Sequence, residues 1–323
     1  MQELFFELLR VSIGQMDCLS RGPLPQEWHD IYTTALRHGL TGVCYKGMER
    51  LFDYGLRAPQ DLSIDWMADA EALRENQELL DIRCEKLVKK LGERKIRAAV
   101  MNGAGVRRFD GCESQQLSQT ISIDIFIDCS MDRAIKFANQ TGQQDIHCAY
   151  TSLALNAWAD MPVNLCYRVL SARNPFVNRK MQKWFAQNKE LMFRQSNDSI
   201  SAPSLTMNAI CMLQTFQQRL LSGKATVSFL LDYYYVLSLL SGDFQPFKDG
   251  SDMAKTLETL GLTQFAAGVM WVLQETLALD RKCMLCAPQA EEGHFILKEL
   301  MAEKRSLWDL VRHYPMEMMW PRR

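Results

Sequence analysis

The chain has 323 residues, 47% apolar and 23% charged, which is enough for two domains or for one core with helical additions. Its net charge of −1 gives no overall positive field that would favour nucleic acid or an anionic membrane, so only a local basic patch could supply one. The first fifteen residues carry Glu3 and Glu7 and lack a basic leader and a small-residue cleavage site, so they do not read as a signal peptide. The apolar stretches at 229–240 and 265–279 are short or interrupted by Asp232, Gln274 and Glu275, and neither supplies the roughly 20 residues of a membrane span. These features predict a cytoplasmic protein with no membrane partner and no nucleic-acid partner. The 10 cysteines are scattered, mostly in apolar periodic stretches, and read as reduced core residues. Cys283 and Cys286 form a C-x-x-C with only His294 nearby, which falls short of the four ligands of a zinc site.

Residues 1–95 read as helical. The clearest piece is a helix over residues 61–94, with Ala68, Leu73, Leu79, Leu80, Cys84 and Leu87 forming one apolar stripe at spacings of three, four and seven. Near Ile96 the period changes. Arg97-Ala-Ala-Val-Met101 predicts a strand that enters a turn at Asn102-Gly-Ala-Gly105. Residues 112–119 are polar and loop-like. Thr120-Ile-Ser-Ile-Asp-Ile-Phe-Ile-Asp128 is the cleanest strand in the chain. Ile121, Ile123, Ile125 and Ile127 point to one face, and Ser122, Asp124, Phe126 and Asp128 to the other. A helix follows over 131–141, then strands over 146–150 and 163–170. From Asn174 the pattern is helical again, with pieces at 178–188, 204–221, 227–240, 253–260, 263–279 and 295–311. The fold class is therefore α+β, a small mixed sheet flanked by helices. The implied division is an N-terminal helical region to residue 95, a core over 96–172 and a C-terminal helical region over 173–323.

The middle region has the layout that two-metal nucleotidyl transfer requires. Mg²⁺ takes hard oxygen ligands, and a strand offers two from positions i and i+2 because these share a face. A third ligand comes from a neighbouring strand, and a glycine turn one strand earlier lets backbone approach a triphosphate. Here a strand ends in Asn102 and Gly103, with Gly105 beyond. A second strand presents Ser122 and Asp124, and a later one Asn164 and Cys166. Asp128 lies four residues past Asp124, about 13 Å along a strand, too far to share one ion. Considered without any relative, Asp124 is equally a surface carboxylate on a half-exposed strand, and Arg179, Lys180 and Lys183 form a solvated basic helix face. Tyr233-Tyr-Tyr235 reads as packing.

Several segments, in order, resemble a bacterial nucleotidyltransferase family of the kind common in Bacteroides-type genomes. They are Leu9-Arg-Val-Ser-Ile-Gly14, Gly42-Val-Cys44, the strand-turn ending at Gly105 and Asp124-Ile-Phe-Ile127. Asn174-Pro-Phe-Val-Asn-Arg179 with Trp184-Phe185, and Leu231-Asp-Tyr-Tyr-Tyr235, complete the set. The resemblance implies a nucleotidyltransferase-like fold, Mg²⁺ as cofactor if the protein is active, and a nucleoside triphosphate as ligand. It also shows what has changed. Asn102-Gly103 stands where the family has Lys-Gly, and Ser122 stands at the first metal aspartate. Asn164 aligns with the third carboxylate, a Glu, and Cys166 with a nearby His. An upstream Arg aligns with Ser118, a His-rich patch with Thr215 and Arg219, and a further Arg with Ser228. The fixed charge at the metal position would fall from −3 to −1, and each lost carboxylate at ~4 Å is worth roughly 4 kcal/mol at an effective dielectric of 20.

The sequence thus implies a catalytically impaired nucleotidyltransferase-fold protein, a pseudoenzyme with a binding or scaffolding role and an unspecified protein partner. Its degenerate catalytic positions are Ser122, Asp124 and Asn164, with Asp124 a weak metal ligand or none. Asn102, Gly103 and Gly105 are its nucleotide-binding positions. Two alternatives stand beside it: an active metal-dependent transferase that uses Asp124 with atypical ligands, and a purely structural helical protein.

Overall fold

A computed structural model describes residues 2–107, 122–142, 146–158, 161–195, 200–241, 247, 252–303 and 306–318. The polar loop at 112–119, including Ser118, lies outside the described residues, as do Thr120 and Ile121 of the isoleucine strand. Four helices open the chain: α1 (Gln2–Ser12), α2 (Pro25–His38), α3 (Thr41–Leu51) and α4 (Gln60–Glu93). Pro25 stands in the first turn of α2, where its missing N–H has no helical partner to lose, and Gly39 closes that helix at φ +68°.

Helix α4 has 34 residues and extends roughly 51 Å at 1.5 Å per residue. It is longer than any one core needs, and it serves two. Leu62 and Trp66 sit in a large helical core, whereas Leu80, Cys84, Leu87 and Leu91 sit in a second core under the sheet. The buried stripe is Leu62, Trp66, Ala70, Gln77, Leu80, Cys84, Leu87 and Leu91. The expected stripe was partly out of phase: Ala68 is exposed, Leu73 is half-buried and Leu79 is 47% exposed. Between the two cores the buried face runs through Ala70 and Gln77, one small and one polar, so apolar spacing there does not mark it.

The sheet contains β1 (Ala98–Val100), β2 (Ile123–Ile127), β3 (Ile146–Cys148), β4 (Ser152–Trp158) and β5 (Met161–Cys166) in the spatial order β1-β2-β5-β4-β3. β2 runs antiparallel to β1 and parallel to β5, and the remaining pairs are antiparallel. The alternation on β2 splits as its sequence predicts. Ile123, Ile125 and Ile127 enter the second core with Leu87 of α4 and Phe137 of α6 (Met131–Gln140). Phe126 points the other way, with its ring edge-on to Phe185 at 5.5 Å. Strand β4 was not anticipated. Ser152-Leu-Ala-Leu-Asn-Ala-Trp158 has no β-branched residue, and it is held by pairing on both sides rather than by its own propensity.

After the sheet come α7 (Pro175–Asn188), a two-stranded ribbon of β6 (Arg194–Gln195) and β7 (Ser201–Ala202), and α8 (Leu205–Leu221). α9 (Val227–Leu240), α10 (Met253–Leu260), α11 (Thr263–Leu277), α12 (Ala290–Met301), α13 (Leu307–His313) and α14 (Pro315–Met318) follow. The single helix expected over 295–311 is two helices, because Ala302 is extended (φ −64°, ψ 131°) and Ser306 caps the second by accepting from the Asp309 N–H. α1 packs on α11, so the first helix of the chain and a helix of its C-terminal region share the larger core. Tyr233 is buried there and donates its hydroxyl to the Ala209 carbonyl.

Between β1 and β2 lies a five-residue helix, α5 (Asn102–Val106), wedged between the sheet and α9. A Cβ at Gly105 would lie 2.3 Å from the Val100 carbonyl oxygen, which is backbone and has nowhere to go. Gly105→Ala is therefore expected to destabilise the protein by about 3 kcal/mol, the upper range for overpacking, read as a lower denaturant midpoint. An unchanged midpoint would show slack in the β1–α5 turn.

Candidate functional site

Asp124 is the centre of the candidate site, and its environment comes from four elements. The β2–β5 register sets Asp124 directly opposite Asn164, whose Nδ2 donates to Asp124 Oδ1 at 2.7 Å. From the start of α5, Asn102 Nδ2 donates to Oδ2 at 2.5 Å. Asn102 holds φ +53°, a left-handed conformation that asparagine tolerates better than most residues, and that turn is what brings its amide onto the carboxylate. Ser122 Oγ donates to Oδ1 at 3.3 Å, and Asn164 Nδ2 also lies 3.4 Å from Ser122 Oγ. The fourth element is α8, whose Arg219 places Nη2 3.7 Å from Oδ2 and lays its guanidinium 4.7 Å over the Phe229 ring. A carboxylate only accepts, so the amide nitrogens and not the amide oxygens of both asparagines must face it.

With only 8% of Asp124 exposed, both its oxygens are occupied by protein donors. This donor set does not fit a divalent cation. Mg²⁺ needs several hard oxygens at close to 2.1 Å, and here the approach is taken by two amide N–H groups, a hydroxyl and a guanidinium. No group of three His, Cys, Asp or Glu is arranged to hold a metal ion among the described residues. Asp128, at the far end of β2, pairs with Lys189 at 2.8 Å and with Arg97 at 3.9 Å instead.

A cavity of about 200 Å³ opens in front of this cluster. Asn102, Asp124, Asn164 and Cys166 form its sheet side, and Asn208, Thr215, Gln218 and Arg219 its α8 side. Arg168, just beyond β5, closes a third side. Burial pushes the Cys166 thiol well above its usual range, the Asp124 charge adds to that, and Arg219 opposes it, so the thiolate is disfavoured.

The structure brings Asn102, Ser122, Asp124 and Asn164 into one hydrogen-bonded cluster. Gly103 and Gly105 are not part of the cavity lining. Both are buried, and a Cβ on Gly103 would lie 2.6 Å from Asp232 Oδ2. The two glycines thus permit close packing inside the protein, whatever else they do. Asp232 itself is a buried carboxylate of α9, and burial raises its pKa to about 7, with Arg107 and Arg219 opposing the rise. Lys180 and Lys183, with Arg179 exposed beside them, border a separate open hollow with Lys255 and Glu258.

Sequence inspection missed Asn208, Cys211, Gln218 and Arg168, and touched Thr215 and Arg219 only through the family resemblance. A signal for them existed. Asn208, Cys211, Thr215 and Arg219 recur at steps of three and four on a helix that is otherwise apolar and largely buried. A polar stripe on a core helix marks a face turned toward something polar, here Asp124.

No protein-family model and no curated protein matches the chain. A solved structure of the Thermotoga maritima CCA-adding enzyme complexed with tRNA_CCA is similar over 76% of this chain and 72% of that one, at 11% identity and a TM-score of 0.27. Likeness of that degree supports no inference about fold, ligand or activity.

Proposed function

We propose that this chain is a nucleotidyltransferase-fold protein, related to the Bacteroides-type family its motifs resemble, that has lost metal-dependent transfer and acts by binding or scaffolding. The reading rests on one observation: both oxygens of Asp124 are satisfied by Asn102 and Asn164, with Arg219 beside them. In a two-metal site the carboxylates hold the ions that stabilise the attacking and leaving oxygens. Here the remaining carboxylate is neutralised from within, and a metal would have to displace a cation and two donors. Had Mg²⁺ been retained as cofactor, Asp124 would need accepting neighbours, and those two positions hold amides turned donor-first.

Two measurements test this. With Mg²⁺ or Mn²⁺, the protein should transfer no labelled nucleotide from a nucleoside triphosphate to itself or to test acceptors above background. Robust transfer that vanishes in Asp124→Ala would overturn the proposal. In the second, the double variant Ser122→Asp/Asn164→Glu should gain Mn²⁺ affinity by at least tenfold in calorimetric titration. It removes two donors to Asp124, the Ser122 hydroxyl and the Asn164 amide, and places two carboxylates where the strands already converge. No gain would show that these positions do not correspond to a metal site.

A further inference from the structure

The charges around the cavity have the wrong sign for a cation and the right sign for an anion. Among the described residues three charged side chains line it: Asp124, Arg168 and Arg219. Asp124 and Arg219 offset one another. Arg168 pairs with no carboxylate among the described residues. Its Nη1 donates to the Tyr150 carbonyl at 2.9 Å, and its guanidinium lies 4.3 Å over the Tyr150 ring and 5.9 Å from the Tyr167 ring. It is thus held in place by a carbonyl and two aromatic faces while keeping its full charge. An arginine fork positioned in this way suits a phosphate or carboxylate, because its parallel N–H groups match the oxygen spacing. Thr151, Ser152 and Thr215 add hydroxyls compatible with anionic oxygens, while the Asn208 and Gln218 amide nitrogens are used within the protein, on the Pro203 carbonyl and on Ser171.

A second cavity lies against the first. Thr151 and Gln218 are shared with a second cavity of about 540 Å³, within the size range that holds small-molecule ligands. Its walls combine apolar Val177, Met181, Leu221 and Leu260 with the Gln217 amide, and Arg173, Lys224 and Glu317 also line it. A small cavity with two arginines and one aspartate thus adjoins a larger, partly apolar one.

We propose that the adjoining cavities bind a nucleotide-sized organic phosphate without any divalent cation, the phosphate held by Arg168 and Arg219 and the organic body in the larger cavity. This rests on reading the cleft as a nucleotidyltransferase-fold site that has lost its metal, and it specifies what replaced the metal. Arginine charge supplied by the protein does what magnesium does for a bound triphosphate, neutralising oxygen charge, but offers no Lewis-acid centre to activate a leaving group.

The test is calorimetric titration of the whole protein with ATP, AMP and inorganic phosphate, each in excess EDTA and again in Mg²⁺. Binding of ATP or AMP in EDTA is expected, undiminished by removal of metal, and inorganic phosphate should bind more weakly because it leaves the larger cavity empty. Arg168→Gln should weaken binding at least tenfold. Thr215→Glu, which adds a negative charge at a half-buried position of the small cavity, should abolish it without relying on Arg168. Lys180→Gln in the separate hollow should leave it unchanged. Absence of binding by all three probes in EDTA overturns the proposal, as does binding that survives both Arg168→Gln and Thr215→Glu. Binding seen only with Mg²⁺ overturns it too. If labelled nucleotide is then also transferred, the loss of metal-dependent chemistry falls with it, whereas failed binding without transfer removes this inference alone.

Discussion

Asp124→Ala is expected to destabilise the protein by about 3 kcal/mol in metal-free buffer, the usual consequence of removing one member of a buried, hydrogen-bonded charge pair. The change strands the Asn102 and Asn164 amides and leaves Arg219 beside a void with no counter-charge. Each buried donor left unpaired costs about 1–3 kcal/mol, and the guanidinium, with 35% of its side chain exposed, recovers part of its loss by turning to water. The sign of the result distinguishes two kinds of site. Where several carboxylates crowd together to hold a metal, they repel one another in its absence, and deleting one relieves that repulsion. Where a lone carboxylate is the acceptor for surrounding donors, deleting it removes their partner. Urea unfolding of both proteins in EDTA at neutral pH decides between them. Stability equal to or above wild type would mean that Asp124 is not internally compensated, and would remove the main support for an impaired metal site. Asp124→Asn, which keeps the size and one acceptor, should fall between the two.

Asp232→Asn is expected to stabilise the protein at pH 8 and to do little at pH 4. Burial raises the Asp232 carboxyl from its ordinary 3.8 to about 7. Between those values the folded protein holds a proton that the unfolded chain has released, so ∂ΔG/∂pH is negative and stability falls as pH rises through that window. Below about pH 4 both states are protonated and the side chain contributes no difference. Above about pH 7 both are ionised and the full penalty is present. Three pKa units correspond to roughly 4 kcal/mol at ~1.4 kcal/mol each, an upper bound for the gain from a neutral isostere. Comparing wild type and variant across pH isolates this group from every other carboxylate. A constant difference between the two from pH 4 to pH 8 would show that Asp232 is ionised throughout. The position has a further consequence, since Gly103 packs against this carboxylate and carries the turn that aims Asn102 at Asp124.

Much of the scaffold was legible because it depends on local periodicity. The alternation over Ile123, Ile125 and Ile127 defines a strand with two unlike faces, and one of those faces must carry Asp124. The existence and ends of the long helix ending near Glu93 and of the helices Val227–Leu240 and Met253–Leu260 were legible too. Strand β4 was not legible, because seven residues without a β-branched side chain become a strand only when partners on both sides claim their backbone groups. Nor was the phase of α4 in its middle third, since the stripe there is decided by which core lies alongside.

At the site, the sequence by itself determined that Ser122 and Asp124 share a strand face and that Asp124 is the one carboxylate among Ser122, Asp124 and Asn164. Both are properties of residue identity and of a two-residue repeat, and they hold wherever the strand is placed. Only the tertiary structure decided what surrounds Asp124. Asn102, Asn164 and Arg219 lie 22, 40 and 95 positions from Asp124, and no local rule relates a side chain to a partner so distant in sequence. The parallel register of β2 on β5 sets Asn164 opposite, the left-handed turn of Asn102 swings its amide inward, and the packing of α8 brings Arg219 over Phe229 and onto the same oxygen. The sequence shows one isolated acid on a strand. Whether that acid reaches for a metal or is held by its neighbours depends on which donors folding brings within hydrogen-bonding distance, and it brought two amides and a guanidinium.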